Sequence, residues 1–298
     1  MTVVQEIVWE AVDAGHRGSS KDDEGQPTLF EDVVVPGKPA ADPLLGDLKA
    51  LIRNHDASRP RSKQKTLGPS EVGHPCTRKL AQGLMQIDRI NPAGDVLPSY
   101  VGTAVHAQLE QAVAVDNGRI VADHLIDPTS RCTWLDGKPI GRWISERRVT
   151  IRPDLSGSCD LFDTWNHTVL DLKVPGVSKM TEYRRNGPSE VYRRQAHLYG
   201  RGYRNAGFQV DRVGIWFLPR AGQLSTSHLW TEPYDDALVD ETLARIDNAI
   251  VLIHDFDVEN HPERWAWFPK TVEACTYCPF FTPTANHPNP AACRAGAG

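Results

Sequence analysis

The element pattern of this chain predicts an α/β fold, a sheet flanked by helices. Three observations carry that expectation. Segments of β-type composition alternate along the chain with segments whose apolar residues recur at helical spacing. The stretch 155–176, LSGSCDLFDTWNHTVLDLKVPG, reads as a β-hairpin turning at Trp165–Asn166. Tyr234–His254 sets Leu238, Leu243, Ile246, Ile250 and Ile253 at helical spacing.

The elements follow in order. Residues 1–45 read as a disordered acidic tail, since GHRGSSKDDEGQP and VVPGKPAADP are rich in Gly, Pro, Ser and charge and have little to bury. A short helix over 46–56 and a basic, turn-rich linker, ASRPRSKQKTLGPSEVG, lead to a helix from Ser70, a capping-type residue, through Met85. SYVGTAVHAQLEQAVAV is a helix with Val101, Val105, Leu109, Ala112 and Val113 on one face. Strands are expected over Ile140–Ile151 and both arms of the hairpin. SEVYRRQAHLYGRGYRNAG is a helix of about four turns ending near Gly207. VDRVGIWFLPR and LSTSHLW are two strands around an Ala-Gly turn.

Charge and composition narrow the class. No run of apolar residues is long enough for a membrane span, and the N-terminus lacks a basic region before an apolar core, so a cytoplasmic protein is expected. The net charge of −5 excludes a uniformly basic nucleic-acid binder. Its distribution says more. Residues 1–46 hold nine acidic and three basic residues, and residues 232–264 hold ten and two. Between them, Ser178–Arg204 has seven basic residues against two acidic, and 46–80 has eight against three. A basic zone between acidic flanks can bind a polyanion locally.

The hairpin carries the chemistry. A register symmetric about Trp165–Asn166 sets Asp160 against Asp171. Alternation then puts Ser158, Asp160, Phe162, Val169, Asp171 and Lys173 on one face. Cys159, Leu161, Leu170, Leu172 and Val174 take the other, which is the better core face. Two opposed carboxylates repel in a sheet unless a cation lies between them, and oxygen ligands suit Mg²⁺ or Mn²⁺. Lys173, two residues beyond Asp171, is on the same side and can stabilise charge developing on a phosphate. A solvated hairpin face with a Lys–Asp pair is the plainer reading of the same residues.

Four segments in order, GTAVH, LSGSCD, VLDLK and RQAHLYG, resemble the PD-(D/E)xK nuclease superfamily, and within it the RecB-like nucleases, including CRISPR-associated and phage exonucleases that carry an iron–sulfur cluster. The resemblance spans roughly residues 66–293. It implies a nuclease core over 46–270 with a mixed central sheet flanked by helices. It also implies metal ligation by His106, Asp160 and Asp171, with the Leu172 carbonyl as a further ligand, and catalysis by Lys173. Gln195 and Tyr199 would face the active site from one side of a helix. Glu110 and Glu146 are further carboxylates that can bind a second metal or orient the first set. The implied activity is metal-dependent DNA hydrolysis, as an exonuclease working on ends or single strands. A non-catalytic DNA-binding module and a restriction-type endonuclease remain open. Arg193, Arg194 and Arg201 carry guanidinium forks suited to phosphate, and Tyr183 and Tyr192 can stack on bases.

Cys275 and Cys278 form a C-x-x-C pair. With Cys76 and Cys293 they match the resemblance's iron–sulfur arrangement, in which segment 271–298 is stapled to the front of the domain. Four thiolates hold either a 4Fe-4S cluster or Zn²⁺. The gap from Cys278 to Cys293 is longer than usual for that branch, which makes His287 a substitute ligand. Cys159 reads as a core thiol and Cys132 as a bystander. In the tail, Gln26, Leu29 and Phe30 match the Q-x-x-L-F pattern of peptides that bind the bacterial sliding clamp.

Overall fold

The computed structural model describes residues 43–58, 67–91, 95–271, 275, 278–282 and 287–293. The chain divides into two units, Met1–Leu45 and Gly46–Gly298, and the sheet lies in the second. Gln26, Leu29 and Phe30 fall outside the described residues.

Helix α1 covers Pro43–Ser58, α2 Pro69–Val72, α3 Thr77–Leu84 and α4 Leu97–Ile126. A two-stranded ribbon of β1 (Thr133–Leu135) and β2 (Lys138–Gly141) precedes the main sheet. That sheet holds β3 (Trp143–Arg152), β4 (Leu155–Asp163), β5 (Thr168–Lys173), β6 (Arg212–Phe217) and β7 (His228–Pro233), in chain order. The β5–β6 pair is parallel and the other pairs are antiparallel, so the sheet is mixed. A parallel pair needs a crossover. Here it carries α5 (Val177–Asn186) and α6 (Glu190–Asn205), and α7 (Asp236–Phe256) follows β7.

Helix α6 organises the core. Ala196, Tyr199 and Tyr203 pack on Cys159, Phe162, Val169, Val213, Ile215 and Phe217 of the sheet. The Phe162 ring stacks on Tyr203 with centroids 4.3 Å apart. At Gly202 a Cβ would come within 2.6 Å of Val149, so only glycine lets α6 lie this close to β3. The other side of α6 presents Leu198 to Val72 of α2 and to Val239 and Ile246 of α7. A third cluster joins Ala81 of α3 to Val258, Trp265, Phe268 and Ala291.

Several expectations need correction. The helix expected from Ser70 to Met85 is two helices, because Pro75 supplies no N–H and pushes His74 out of the α region. Helix α4 runs to Ile126 and buries Val113 and Ile120, while Val101, Val105 and Leu109 stay half-buried and Ala112 is exposed. Leu224–Thr226 forms a 3-10 turn, and the strand starts only at His228. Helix α5 has a single buried apolar residue, Met180, and so left no periodic signal.

The hairpin faces also differ. Cys159 joins Phe162 and Val169 in the cluster beneath α6, although strict alternation separates them. The β3–β4 pairs run Ser145↔Leu161 and then Arg147↔Cys159. At the step between, Glu146 takes a left-handed φ of 48°, and the alternation breaks there. Among the described residues no helix is long and apolar enough to cross a membrane.

Candidate metal and catalytic site

The turn fixes the register. Asp163 accepts hydrogen bonds from the Trp165 and Asn166 amides at 3.0 and 3.3 Å, and Arg142 clamps both its oxygens. Such a carboxylate turn closes the hairpin without a backbone ladder bond. The pairs Asp163↔Thr168, Phe162↔Val169 and Leu161↔Leu170 follow, in the symmetric register expected from the sequence. One step further along, Asp160 and Asp171 stand at corresponding positions on the two strands.

Five elements, α4, β3, β4, β5 and α6, converge there. His106 of α4 places Nδ1 3.3 Å from Asp160 Oδ1 and 3.9 Å from Glu146 Oε1. These three residues each offer a ligand atom within 4.8 Å of the others. Asp160 Oδ2 accepts from the Leu172 amide at 2.6 Å, which ties β4 to β5. Asp171 is 1% exposed; Gln195 Nε2 donates to its Oδ1 at 2.9 Å, and Lys173 Nζ lies 2.6 Å from its Oδ2. Lys173 Nζ also reaches Gln195 Oε1 at 3.4 Å and sits 4.6 Å above the Tyr192 ring.

Tyr199, one turn beyond Gln195, is buried in the core beneath this row. Gly157 makes room for it. A Cβ there would lie 3.3 Å from Tyr199 Cε1 and 2.8 Å from Pro69 Cδ. The helix face that holds Gln195 and Tyr199 therefore fixes the buried carboxylate through Gln195, while Tyr199 packs.

Charge is concentrated in the row, and the groups perturb one another. Hydrogen bonds to Asp160 and then Glu146 raise His106 to about 9. Burial acts to raise Asp160, but the His106 hydrogen bond and charge outweigh it and hold the carboxyl below its ordinary range. Asp171 goes the other way: burial, opposed by Lys173 and reinforced by Asp160, pushes it up to about 6. For Lys173, desolvation is outweighed by Asp171 and Asp160, so the ammonium keeps its proton. In this arrangement a proton on His106 supplies the positive charge between Glu146 and Asp160. One imidazole and two carboxylates at this spacing fit a divalent ion such as Mg²⁺ or Mn²⁺, which places positive charge at the same point.

Other expected residues lie elsewhere. Glu110 is exposed and outside the trio. The α6 arginines are already paired. Arg193 meets Glu232 at 2.6 Å, Arg194 meets Glu190 and Glu241 at 2.8 Å each, and Arg201 meets Asp236 and Asp240 at 2.9 and 2.8 Å. Their partners come from β7, α6 itself and α7, so the basic and acidic zones of the sequence neutralise each other. Tyr183 stacks on Phe217 with centroids 4.5 Å apart.

The C-terminal segment packs on α3 through donors that are not cysteines. Arg78 Nη2 donates to the carbonyls of Ala291 and Ala292 at 3.2 and 2.9 Å, and Gln82 Nε2 donates to Ala291 at 2.5 Å. Cys293 bridges Phe281, and the Ile90 and Asn91 amides both donate to Pro279. Cys76 and Cys293 are buried, and no disulfide joins any of the six cysteines. Burial, followed by the neighbouring Cys293 and Cys76 sulfurs, raises the Cys275 thiol. His287 accepts from the Asn289 amide at 3.2 Å. Cys132 is half-buried in the β1 loop.

No protein-family model matches this chain, and no curated protein matches it. Among solved structures it is similar to an alkaline exonuclease from Laribacter hongkongensis, at 13% identity over 70% of this chain and 96% of that one, with a TM-score of 0.40. It is also similar to a phage-related exonuclease from Haemophilus somnus 129PT, at 13% identity over 58% and 77%, with a TM-score of 0.35. The structure of the Laribacter enzyme in complex with dAMP aligns at 14% identity over 67% and 96%, with a TM-score of 0.31.

Proposed function

We propose that this chain is a metal-dependent deoxyribonuclease of the PD-(D/E)xK type, an exonuclease that hydrolyses phosphodiester bonds at DNA ends or in single strands. One observation carries the reading. A trio of His106, Glu146 and Asp160 stands beside a buried Asp171–Lys173–Gln195 group, and all of these but Glu146 lie on the strands and helices that the four sequence segments mark. A solvated Lys–Asp pair does not account for a carboxylate buried to 1% and fixed from both sides.

His106, Glu146 and Asp160 would hold Mg²⁺ or Mn²⁺, with Asp171 and the Leu172 carbonyl completing the set that the resemblance implies. When bound, the ion supplies Lewis acidity toward the scissile phosphate. The chain's own residues do the rest. Asp171 and Gln195 aim the Lys173 ammonium, which stabilises negative charge developing on the phosphate oxygens. Tyr199 and Gly157 keep Gln195 in register with Asp171. Cys76, Cys275, Cys278 and Cys293 would hold a 4Fe-4S cluster, with Zn²⁺ as the other occupant that thiolate chemistry allows. The bonds from Arg78 and Gln82, just after Cys76, to the Ala291 and Ala292 carbonyls, just before Cys293, support the staple between these two segments.

Purified protein is incubated with end-labelled single- and double-stranded DNA and Mg²⁺ or Mn²⁺, beside Lys173→Ala. Cleavage that needs metal and disappears in the variant is expected. Absence of cleavage by the wild type overturns the enzyme reading, and equal cleavage by the variant overturns the site. A brown protein absorbing near ~400 nm identifies iron–sulfur, whereas a colourless protein containing zinc reverses that part.

A further inference from the structure

We propose that Arg184, Arg185 and Arg220 form a phosphate-binding rim beside Lys173, over which a nucleic-acid strand runs into the site. This rests on the nuclease reading above and extends it to the path of the substrate.

The basic zone of the sequence splits at Gly187. Beyond it, Arg193, Arg194, Arg201 and Arg204 are all consumed by carboxylates of α6, β7 and α7. Before it, Arg184 and Arg185 are exposed on the last turn of α5. Arg220 is exposed just past β6. Among the described residues no carboxylate pairs with any of these three. Arg184 donates to the Thr226 carbonyl and Arg220 donates to the Val174 carbonyl at 3.2 Å. Those bonds anchor the guanidinium groups and leave their charge unneutralised. Lys179, on the same helix, is by contrast closed off by Glu182 at 2.6 Å.

Their position follows from the parallel pair. Lys173 and Phe217 are register partners at the carboxyl ends of β5 and β6, the end of a parallel pair where ligands gather. The loop after Lys173 is tied to the end of β6 by Leu218 N to Lys173 O at 2.9 Å and Arg220 N to Pro175 O at 2.9 Å. On the other side Tyr183 stacks on Phe217 and neighbours Tyr192, whose ring lies under Lys173 Nζ. Arg184 and Arg185 follow Tyr183 directly. Arg220 is anchored on the loop that leaves Lys173 and Arg184 on the loop before β7, with Arg185 exposed next to Arg184, so the unneutralised guanidinium groups lie along the strand end that carries Lys173. Guanidinium forks suit the phosphates next to it. Because they would contact backbone only, they would add affinity without sequence preference.

The test is binding of a fluorescein-labelled single-stranded oligonucleotide in EDTA, by anisotropy across a salt series. The triple variant Arg184→Gln/Arg185→Gln/Arg220→Gln should lose on the order of ten-fold or more in affinity at low salt, with the slope of log K against log salt reduced by about 0.7 per arginine. Arg185→Gln alone, at an exposed position, should show a graded share of the effect at an unchanged melting temperature. Arg212→Gln, at the opposite end of β6, should change neither quantity. A triple variant that binds with wild-type affinity and slope overturns the rim, and so does an equal effect from Arg212→Gln. If wild-type protein cleaves DNA while the triple variant binds normally, the rim fails and the nuclease reading stands. If binding drops as expected but the wild type never cleaves, the nuclease reading fails and the rim stands.

Discussion

The acid–lysine row and the C-terminal clasp are both built around residues that read as metal ligands, and the fold treats them in opposite ways. In the row, ionised side chains are pressed together. His106, Glu146 and Asp160 share a few ångströms, and Asp171 is buried against Lys173. In the clasp, the thiols contribute little hydrogen bonding, and Arg78 and Gln82 hold the chain by its carbonyls. The row concentrates charge, with His106 between Glu146 and Asp160 and Lys173 against Asp171. The clasp ties the chain's late residues to α3 through Arg78 Nη2 and Gln82 Nε2. One is arranged for chemistry, the other for holding.

That contrast can be broken by experiment. The largest effect should come from the row: Lys173→Ala or Asp160→Asn should lower metal-dependent cleavage by about 10²–10³-fold, with melting temperature close to wild type. Loss of folding in step with loss of cleavage would make the row structural. Next, Arg78→Ala should cost about 3 kcal/mol in urea unfolding, because two charge-assisted hydrogen bonds to the Ala291 and Ala292 carbonyls are lost, while cleavage per folded molecule is kept. An unchanged unfolding midpoint would show that the clasp is held by something other than Arg78.

A smaller effect separates the two regions by ligand. Mn²⁺ at about a hundred times its Kd should stabilise the wild type by about 2.7 kcal/mol. Glu146→Gln should weaken that gain and Cys132→Ser should leave it intact. Stabilisation that survives Glu146→Gln would move the ion elsewhere.

The smallest effect belongs to neither region. His197 is fully buried, donates from Nε2 to Glu232 at 2.6 Å, and accepts the Asp235 amide on Nδ1 at 3.1 Å. Burial outweighs Glu232 and lowers its pKa. The unfolded chain therefore takes up this proton first, and stability falls as pH drops below about 6.5. His197→Gln should flatten that acid limb and leave cleavage at neutral pH unchanged. A limb of undiminished steepness would assign it to other groups.

Local chemistry explains what was legible. The hairpin register was readable because Asp163 and the turn residues act within a few positions of one another. Helix α6 was readable because its apolar face repeats. Glu146 was harder to place, because its nearness to His106 depends on a left-handed step in β3 that no sequence period encodes. Helix α5 was missed because it buries one residue.

The sequence by itself determined the α/β order, the hairpin register from Asp163↔Thr168 to Leu161↔Leu170, and the helix face shared by Gln195 and Tyr199, since each depends on short-range period and turn chemistry. Only the tertiary structure decided which charges remain available. Seven basic residues between Ser178 and Arg204 look alike in the sequence. Packing α6 against β7 and α7 pairs its arginines with carboxylates more than thirty residues away, and leaves those of α5 unneutralised. Ion pairing depends on distance in space, and that distance is set by the packing.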